Sequence, residues 1–297
     1  MNMGKKINHN LIVPQVSLKE YTTFRIGGKA DYFAQPTDYE EIQSLLKWAN
    51  DYKIPITILG AGANVVISDD GIEGLVINTN KLNHVEILSD IVITESGNEI
   101  STLIDQLESA QLSGLESFYG MPSSLGGALR MNARCYGHEI SDHLLWVDYL
   151  DEKSRLVRYN YNPTDWEYKV SPFQSGDLFI FRAAFKLEHK EKALIREEMD
   201  LRYNDRASKG HYRAPCAGSA FKNNHDFGAP TGKIIDDLGL RGLKVGKAKI
   251  SDWHANIIIN EGSASSEDIK SLVNIIIEQV REATGFNLEP EIIFIGR

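Results

Sequence analysis

Between about Thr37 and Tyr52, Ile42, Leu45, Leu46 and Ala49 recur at helical spacing and would share one face. Thr37 and Glu40 have the spacing of a capping box, which predicts where this helix starts. The flanking stretches DYFAQP and IPITILG read as strands, so 31–59 is predicted to be a β-α-β unit. Short strands are predicted at GLVIN, VEIL and IVITE. Ile100, Leu103, Leu107 and Ala110 then face one way in a helix near 99–112, with Gly114 as its stop. From Leu144 to Leu187 the pattern is β-rich again, as in LLWVDYL and LFIFRAAFKL.

The charged segment 188–211, EHKEKALIREEMDLRYNDRASKGH, breaks this pattern and reads as an exposed helix running into a linker. A short helix near 230–238 and strands at 243–250 and 256–260 follow it. A long helix then starts after Ser265 or Ser266 and runs to Ala283 on a stripe of Ile269, Leu272, Val273, Ile276 and Val280. Gly285 caps that helix, and EIIFI forms a closing strand. No internal repeat or low-complexity tract interrupts the order. The class is α+β, in two parts.

Composition narrows the function. At 297 residues the chain suffices for two cores, and its 42% hydrophobic and 25% charged residues are those of a globular protein. A net charge of −9 argues against broad nucleic-acid binding but leaves room for a local anion pocket. The two cysteines, Cys135 and Cys216, have neither metal-ligand spacing nor a partner framework, and no metal is expected. MNMGKKINHN has no apolar stretch after its lysines, and no run approaches the ~18 apolar residues of a membrane span. A cytoplasmic protein without a membrane partner is expected.

Two glycine loops carry candidate chemistry. ILGAGANVVISDDGIEGLVI (58–77) places Gly60 and Gly62 after a strand, but Val65 stands where a dinucleotide fingerprint needs its third glycine, and another strand follows instead of a helix. That predicts a strand–loop–strand nest whose N–H groups cradle a diphosphate. In YGMPSSLGGALRMNA (119–133), Pro122, Ser123 and Ser124 precede Gly126 and Gly127, followed by a short helix ending near Asn132; hydroxyls and exposed N–H groups would form a second anion-binding edge. PCAGSAFKNN (215–224) sets small residues around Ser219, so that a ligand could approach its hydroxyl closely.

In order along the chain, YTTFRIGGKADYFAQP, LGAGANVVISDDGIEGLVI, GMPSSLGGALRMNARCYG, GSAFKN, GKIIDDLGLRG, ISDWHANIIIN and LEPEIIFIG resemble the UDP-N-acetylenolpyruvoylglucosamine reductase (MurB) family, in its shorter type. The resemblance implies a two-lobed vanillyl-alcohol-oxidase/PCMH-type FAD-binding domain over 20–190, with lobes of about 20–78 and 79–190. A linker helix over 191–212 and an α+β substrate-binding domain over 213–297 would follow. FAD contacts are expected from Leu59, Gly60, Ala61, Gly62, Ala63 and Asn64, and from Pro122, Ser123, Ser124, Gly126, Gly127 and Asn132.

The implied reaction is reduction of an enolpyruvyl ether on a UDP-sugar, with NADPH as co-substrate and the protein acting as a monomer. Hydride at the terminal vinyl carbon builds negative charge on its neighbour, which requires a cation, a polar partner and a proton donor. Ser219 matches the family's proton donor and Glu291 its catalytic glutamate, while Lys169 stands where the family usually has arginine. Lysine keeps the charge but not the planar fork. Asn223 matches a substrate contact; Lys209 or Lys222 could meet phosphates, and His254 could line the pocket or serve only as a structural histidine. Other departures are Ala63 for serine, Ser123 for glycine, Arg134–Cys135 for Gly-Ala, Asn224 for proline and Trp253 for lysine. The competing readings are another FAD oxidoreductase of this domain type, and a flavin-binding homologue with reduced activity because of Lys169.

Overall fold

Asp38, not Thr37, caps the first helix, α1 (Tyr39–Tyr52): its carboxylate accepts the Glu41 N–H at 2.8 Å. Glu41 accepts the N–H of Thr37, the residue before the cap, also at 2.8 Å, so the expected Thr37–Glu40 box is replaced by an Asp38 cap with Glu41 tied to Thr37. The computed structural model describes residues 11–176 and 178–297. The N-terminal MNMGKKINHN, read above as carrying no leader, lies outside the described residues.

The chain divides into two compact units that are discontinuous in sequence. One comprises the described residues up to Pro14, Tyr32–Ala61 and Gly74–Asn204; the other comprises Gln15–Asp31, Gly62–Glu73 and Asp205–Arg297. These boundaries differ from the contiguous scheme of 20–190, 191–212 and 213–297.

In the first unit, α1 buries Ile42, Leu45, Leu46 and Ala49 in a cluster with Leu75, Ile77 and Phe179. Strand Ile56–Leu59 pairs in parallel with Leu75–Asn78, as a β-α-β connection requires. An antiparallel five-stranded sheet runs in the order Leu156–Asn160, Leu144–Leu150, Phe179–Lys186, Ile91–Glu95, Val85–Leu88. A second helix, α2 (Ile100–Ser109), buries Ile100, Leu103, Ile104 and Leu107 with Phe118, Leu125 and Phe185. It ends earlier than Gly114: Gln111 takes the left-handed conformation, with φ 59°, after an Ala110 cap. Helix α3 (Leu125–Arg130) is one short run. The charged helix α4 (Lys192–Ser208) is tied to α2 by Arg196, which meets Glu108 at 3.1 Å and Asp105 at 3.2 Å.

The second unit holds α5 (Thr231–Asp237) and α6 (Ser266–Thr284). Ser265 and Asp268 form a reciprocal capping box at the start of α6, and Gly285 closes it at φ 77°. The predicted stripe of α6 is buried with Phe24, Val66, Phe221, Ile250 and Ile257. The segment predicted as one strand over 243–250 is a hairpin, Lys244–Val245 against Ala248–Ile250, because Gly246 turns at φ 56°. Ile258–Asn260 completes that sheet, and Ile293–Ile295 pairs in parallel with Val65–Ile67.

Candidate active site

Ser219 sits in a short extended piece of chain in the second unit. Residue 219 bridges Ile257 on one side, and Phe221 bridges Pro290 on the other. The Glu291 N–H donates to Ala220 O at 2.8 Å, and the Lys222 N–H to Glu289 O at 2.9 Å. The backbones that carry Ser219 and Glu291 are therefore adjacent. Asn64, from the first glycine loop, donates its amide to Glu291 O at 3.0 Å, and its own carbonyl accepts the Ile293 N–H at 2.9 Å. Gly218, at φ 70°, has no atom within 4 Å of where a Cβ would project, so the chain is bare beside Ser219.

A cavity of about 370 Å³ opens along this piece, lined by Ser219, Asn223, Pro230, Gly232, Lys233, Asp236, Arg241, Trp253, His254, Ala255 and Asn256. Its two cations are ion-paired: Arg241 Nη2 with Asp236 at 2.6 Å, and Lys233 with Asp237 at 2.8 Å. His254 Nδ1 accepts the Asn256 N–H at 3.2 Å, which makes Nε2 the donor of the neutral ring. Burial, then Lys209 and Arg241, lower the His254 pKa. Its ring lies 5.9 Å from that of His211, whose pKa burial and Arg206 push down to about 4.

The other expected site residues are placed as follows. Asn223 lines the cavity, and its Oδ1 accepts the Thr231 N–H at 2.9 Å at the start of α5. Lys222 is ion-paired with Glu289, and Lys209, beyond α4, with Asp205 at 2.7 Å. Lys169 lies in the first unit on a tight turn, half-buried at φ 61°, its carbonyl accepting from Gln174 Nε2 at 2.8 Å. Glu291 lies before the closing strand, which starts at Ile293 rather than at Glu291. Its neighbour Ile292 is buried, while Ile293 is 41% exposed.

The first glycine loop has the predicted form, strand Ile56–Leu59, loop, strand Val65–Ile67, with no helix after Gly62. Its glycines are required by the protein itself. A Cβ on Gly60 would lie 2.1 Å from Ser124 Oγ, and one on Gly62, at φ 62°, would lie 2.1 Å from Tyr21 O. The Ala61 N–H meets Ser124 Oγ at 3.4 Å, so within the first unit the second loop touches the start of the first. Asn78 holds Leu59 O at 3.1 Å and Gly60 O at 3.0 Å.

In the second loop, the edge of exposed N–H groups expected there is not open. Leu125 N–H donates to Asn98 O, Gly126 N–H to Ser96 O and Gly127 N–H to Ser124 Oγ. Pro122 and Ser123 precede α3, and Ser123 Oγ donates to Ser124 O at 3.1 Å. Asn132 is fully buried, its amide shared among Glu139, Glu167 O and Ser141. Two buried hydroxyls beside these loops, those of Ser96, which packs against Gly126, and Thr23, whose N–H meets Gly62 O, have no hydrogen-bond partner among the described residues. Orphaned donors at such loops fit a polar group supplied from outside the chain. Among the described residues no cluster of metal-ligating side chains occurs, and no helix is long and apolar enough to cross a membrane.

Sequence reasoning passed over Lys233, Asp236, Arg241, Trp253 and Asn256 as lining residues. The first three lie in GKIIDDLGLRG, whose polar residues were available as a signal. Asn256, in the apolar run ANIIIN, gives none.

Residues 30–160 match the family model of an FAD binding domain, and residues 210–295 that of the C-terminal domain of UDP-N-acetylenolpyruvoylglucosamine reductase. The α+β fold with its PCMH-type FAD domain and these loops defines an FAD-binding oxidoreductase. The chain is 40% identical over 296 residues to the UDP-N-acetylenolpyruvoylglucosamine reductase of Treponema denticola, covering 94% of this chain and 92% of that relative. It is 39% identical to the enzyme of that name from Borrelia garinii, over 99% of this chain and 96% of the relative. A crystal structure of the reductase (MurB) from Thermus caldophilus matches it with a TM-score of 0.80 at 31% identity, covering 95% of this chain and 99% of that one. The chain belongs to the UDP-N-acetylenolpyruvoylglucosamine reductase family.

Proposed function

We propose that this enzyme reduces the enolpyruvyl ether of UDP-N-acetylglucosamine enolpyruvate to UDP-N-acetylmuramate, a peptidoglycan precursor, acting as a cytoplasmic monomer with FAD as cofactor and NADPH as reductant. The family supports the reaction. The observation that carries the residue assignment is the pairing of the Ser219 and Glu291 segments through Ala220 beside an open cavity.

Leu59 to Asn64, with Pro122, Ser123, Ser124, Gly126, Gly127 and Asn132, would hold FAD, with the unpartnered hydroxyl of Ser96 beside them. The chemistry FAD would supply there is hydride, taken from NADPH, for the terminal vinyl carbon of the substrate. The displaced electron pair settles on the adjacent carbon and its carboxylate. Ser219 Oγ then delivers a proton to that carbon; placement counts for more than acidity, because an enolate-like carbon is a strong base. Lys169 supplies the cation for the carboxylate, and Glu291 is the catalytic glutamate carried beside the Ser219 segment. Asn223 and the neutral Nε2–H of His254 offer hydrogen bonds to substrate along the cavity wall, and Lys209 or Lys222 a charge for the phosphates.

Two half-reactions test this. NADPH should bleach the yellow holoenzyme, and the enolpyruvyl sugar nucleotide should recolour it. In Ser219→Ala bleaching should persist while recolouring slows by about 10²–10⁴-fold, the range of a lost general acid. A wild-type protein that bleaches but is not recoloured by this substrate refutes the reading. Lys169→Ala should be inert and Lys169→Arg at least as fast as the native enzyme; an active Lys169→Ala removes Lys169 from the mechanism.

A further inference from the structure

Asn256 is 3% exposed and lies beside Ser219 in the cavity wall. On the Glu289–Glu291 side, the Ser219 segment is held by ordinary backbone bonds. On the opposite side Asn256 does the work of a strand. Its carbonyl accepts the Ala220 N–H at 2.8 Å. Its side-chain Oδ1 accepts the Phe221 N–H at 3.0 Å, and its Nδ2 donates to Phe221 O at 2.9 Å. One residue thus satisfies three backbone groups on the two residues that follow Ser219, using its amide as a substitute peptide. Its own N–H is fixed in turn by His254 Nδ1 at 3.2 Å.

We propose that Asn256 is the positioning residue that registers Ser219 for proton delivery; this rests on the reading of Ser219 given above. A hydroxyl is a feeble acid, so its rate depends on where the oxygen is held, and a 1 Å displacement can cost about 10²-fold. No other side chain reproduces the clamp. Aspartate keeps both acceptors but loses the Nδ2 donor and sets a carboxylate against Phe221 O; leucine keeps the volume and loses both bonds. Asn256 touches no reacting atom in this scheme and acts through the Phe221 peptide.

The experiment uses the full-length FAD-loaded enzyme and its Asn256→Asp and Asn256→Leu variants, with the half-reactions followed separately by stopped-flow absorbance. Bleaching by NADPH should stay within about twofold of the native rate. Recolouring by the enolpyruvyl sugar nucleotide should fall on the order of 10–100-fold, with a larger solvent deuterium isotope effect, because proton delivery becomes slower than hydride delivery. Amide exchange at Ala220 and Phe221 should quicken by a similar factor in protein stripped of flavin, a readout independent of turnover. Native recolouring rates in both variants overturn the proposal. So does a parallel fall in both half-reactions, the mark of general damage. If neither variant folds, Asn256→Gln, which keeps donor and acceptor one methylene further out, is read against the same outcomes. Ser219→Ala separates the two levels: native recolouring in that variant defeats the role of Ser219 itself, whereas slow Ser219→Ala beside unaffected Asn256 variants defeats only the clamp.

Discussion

Gly60 and Ser124 offer a quantitative check on how the two glycine loops meet. Gly60 does not adopt a left-handed φ, so an alanine there is not opposed by its backbone, only by space. Its Cβ would lie 2.1 Å from Ser124 Oγ and 3.2 Å from Ser124 Cβ. Ser124 is 1% exposed and is the N-cap of α3, its oxygen accepting the Gly127 and Ala61 N–H groups. Gly60→Ala must therefore drive the hydroxyl out, costing ~1–3 kcal/mol of overpacking plus about 1 kcal/mol for the lost cap. Ser124→Ala alone should cost about 1 kcal/mol. In the double variant the oxygen is gone, the cap is lost only once, and the remaining Cβ–Cβ contact needs a shift of a few tenths of an ångström. The double variant should thus be less destabilised than the sum of the singles by about 1–2 kcal/mol, within the range measured for contacting pairs. Urea unfolding of the four apoproteins measures this coupling without ligand linkage. Additivity to within about 0.5 kcal/mol would refute the contact.

Three further outcomes are expected. His211, held near 4 rather than 6.5 chiefly by burial, with Arg206, His254 and Lys209 also lowering it and Asp205 opposing, is more readily protonated in the unfolded chain. Stability should therefore fall as pH drops from about 6.5 toward about 4, and His211→Asn should flatten that slope in urea midpoints across the window; an unchanged slope counts against it. Asp148 is buried, which raises its pKa, but Arg158 at 2.7 Å and Arg182 at 2.9 Å outweigh burial and leave it lowered. Asp148→Asn should cost about 1–3 kcal/mol at neutral pH, with the difference from the native protein vanishing in acid as the native carboxyl protonates; a difference that persists in strong acid contradicts the ion-pair account. Ser265→Ala should cost about 1 kcal/mol of stability through loss of the α6 cap, and an unchanged urea midpoint argues against the box.

The helices were legible where one face is apolar. The stripes of α1, α2 and α6 are local, and a 3.6-residue period reports them directly. The missing helix after Gly62 was equally readable, since Val65 and the following DDG turn leave no room for one. Caps and stops were less so: Thr37 and Asp38 are both good N-caps, and it is Asp38 that takes the Glu41 N–H while the Glu41 carboxylate holds Thr37. Gln111 rather than Gly114 reverses the chain after α2, a left-handed glutamine that no propensity would choose. The cavity lay beyond local reasoning because Ser219, Lys233, Trp253 and Asn256 are brought together by packing over long sequence separations. The glycines of the first loop were legible as necessary, but for a different reason, because Ser124 and Tyr21 fill the space that a side chain would take.

The discontinuity of the second unit has a consequence for how the protein is made. Phe24, Ile26 and Val66 belong to the core that also contains Ile276 and Ile292, and Val65–Ile67 gains its parallel partner only when Ile293–Ile295 exists. A ribosome releases those partners more than two hundred residues apart, so the early segments must wait, uncommitted, until Ile293–Ile295 has been made. Long-range parallel pairing is slow to nucleate. Expressed alone, a fragment cut to the C-terminal family match of 210–295 would lack three core side chains and a strand, and would leave apolar surface open to aggregation.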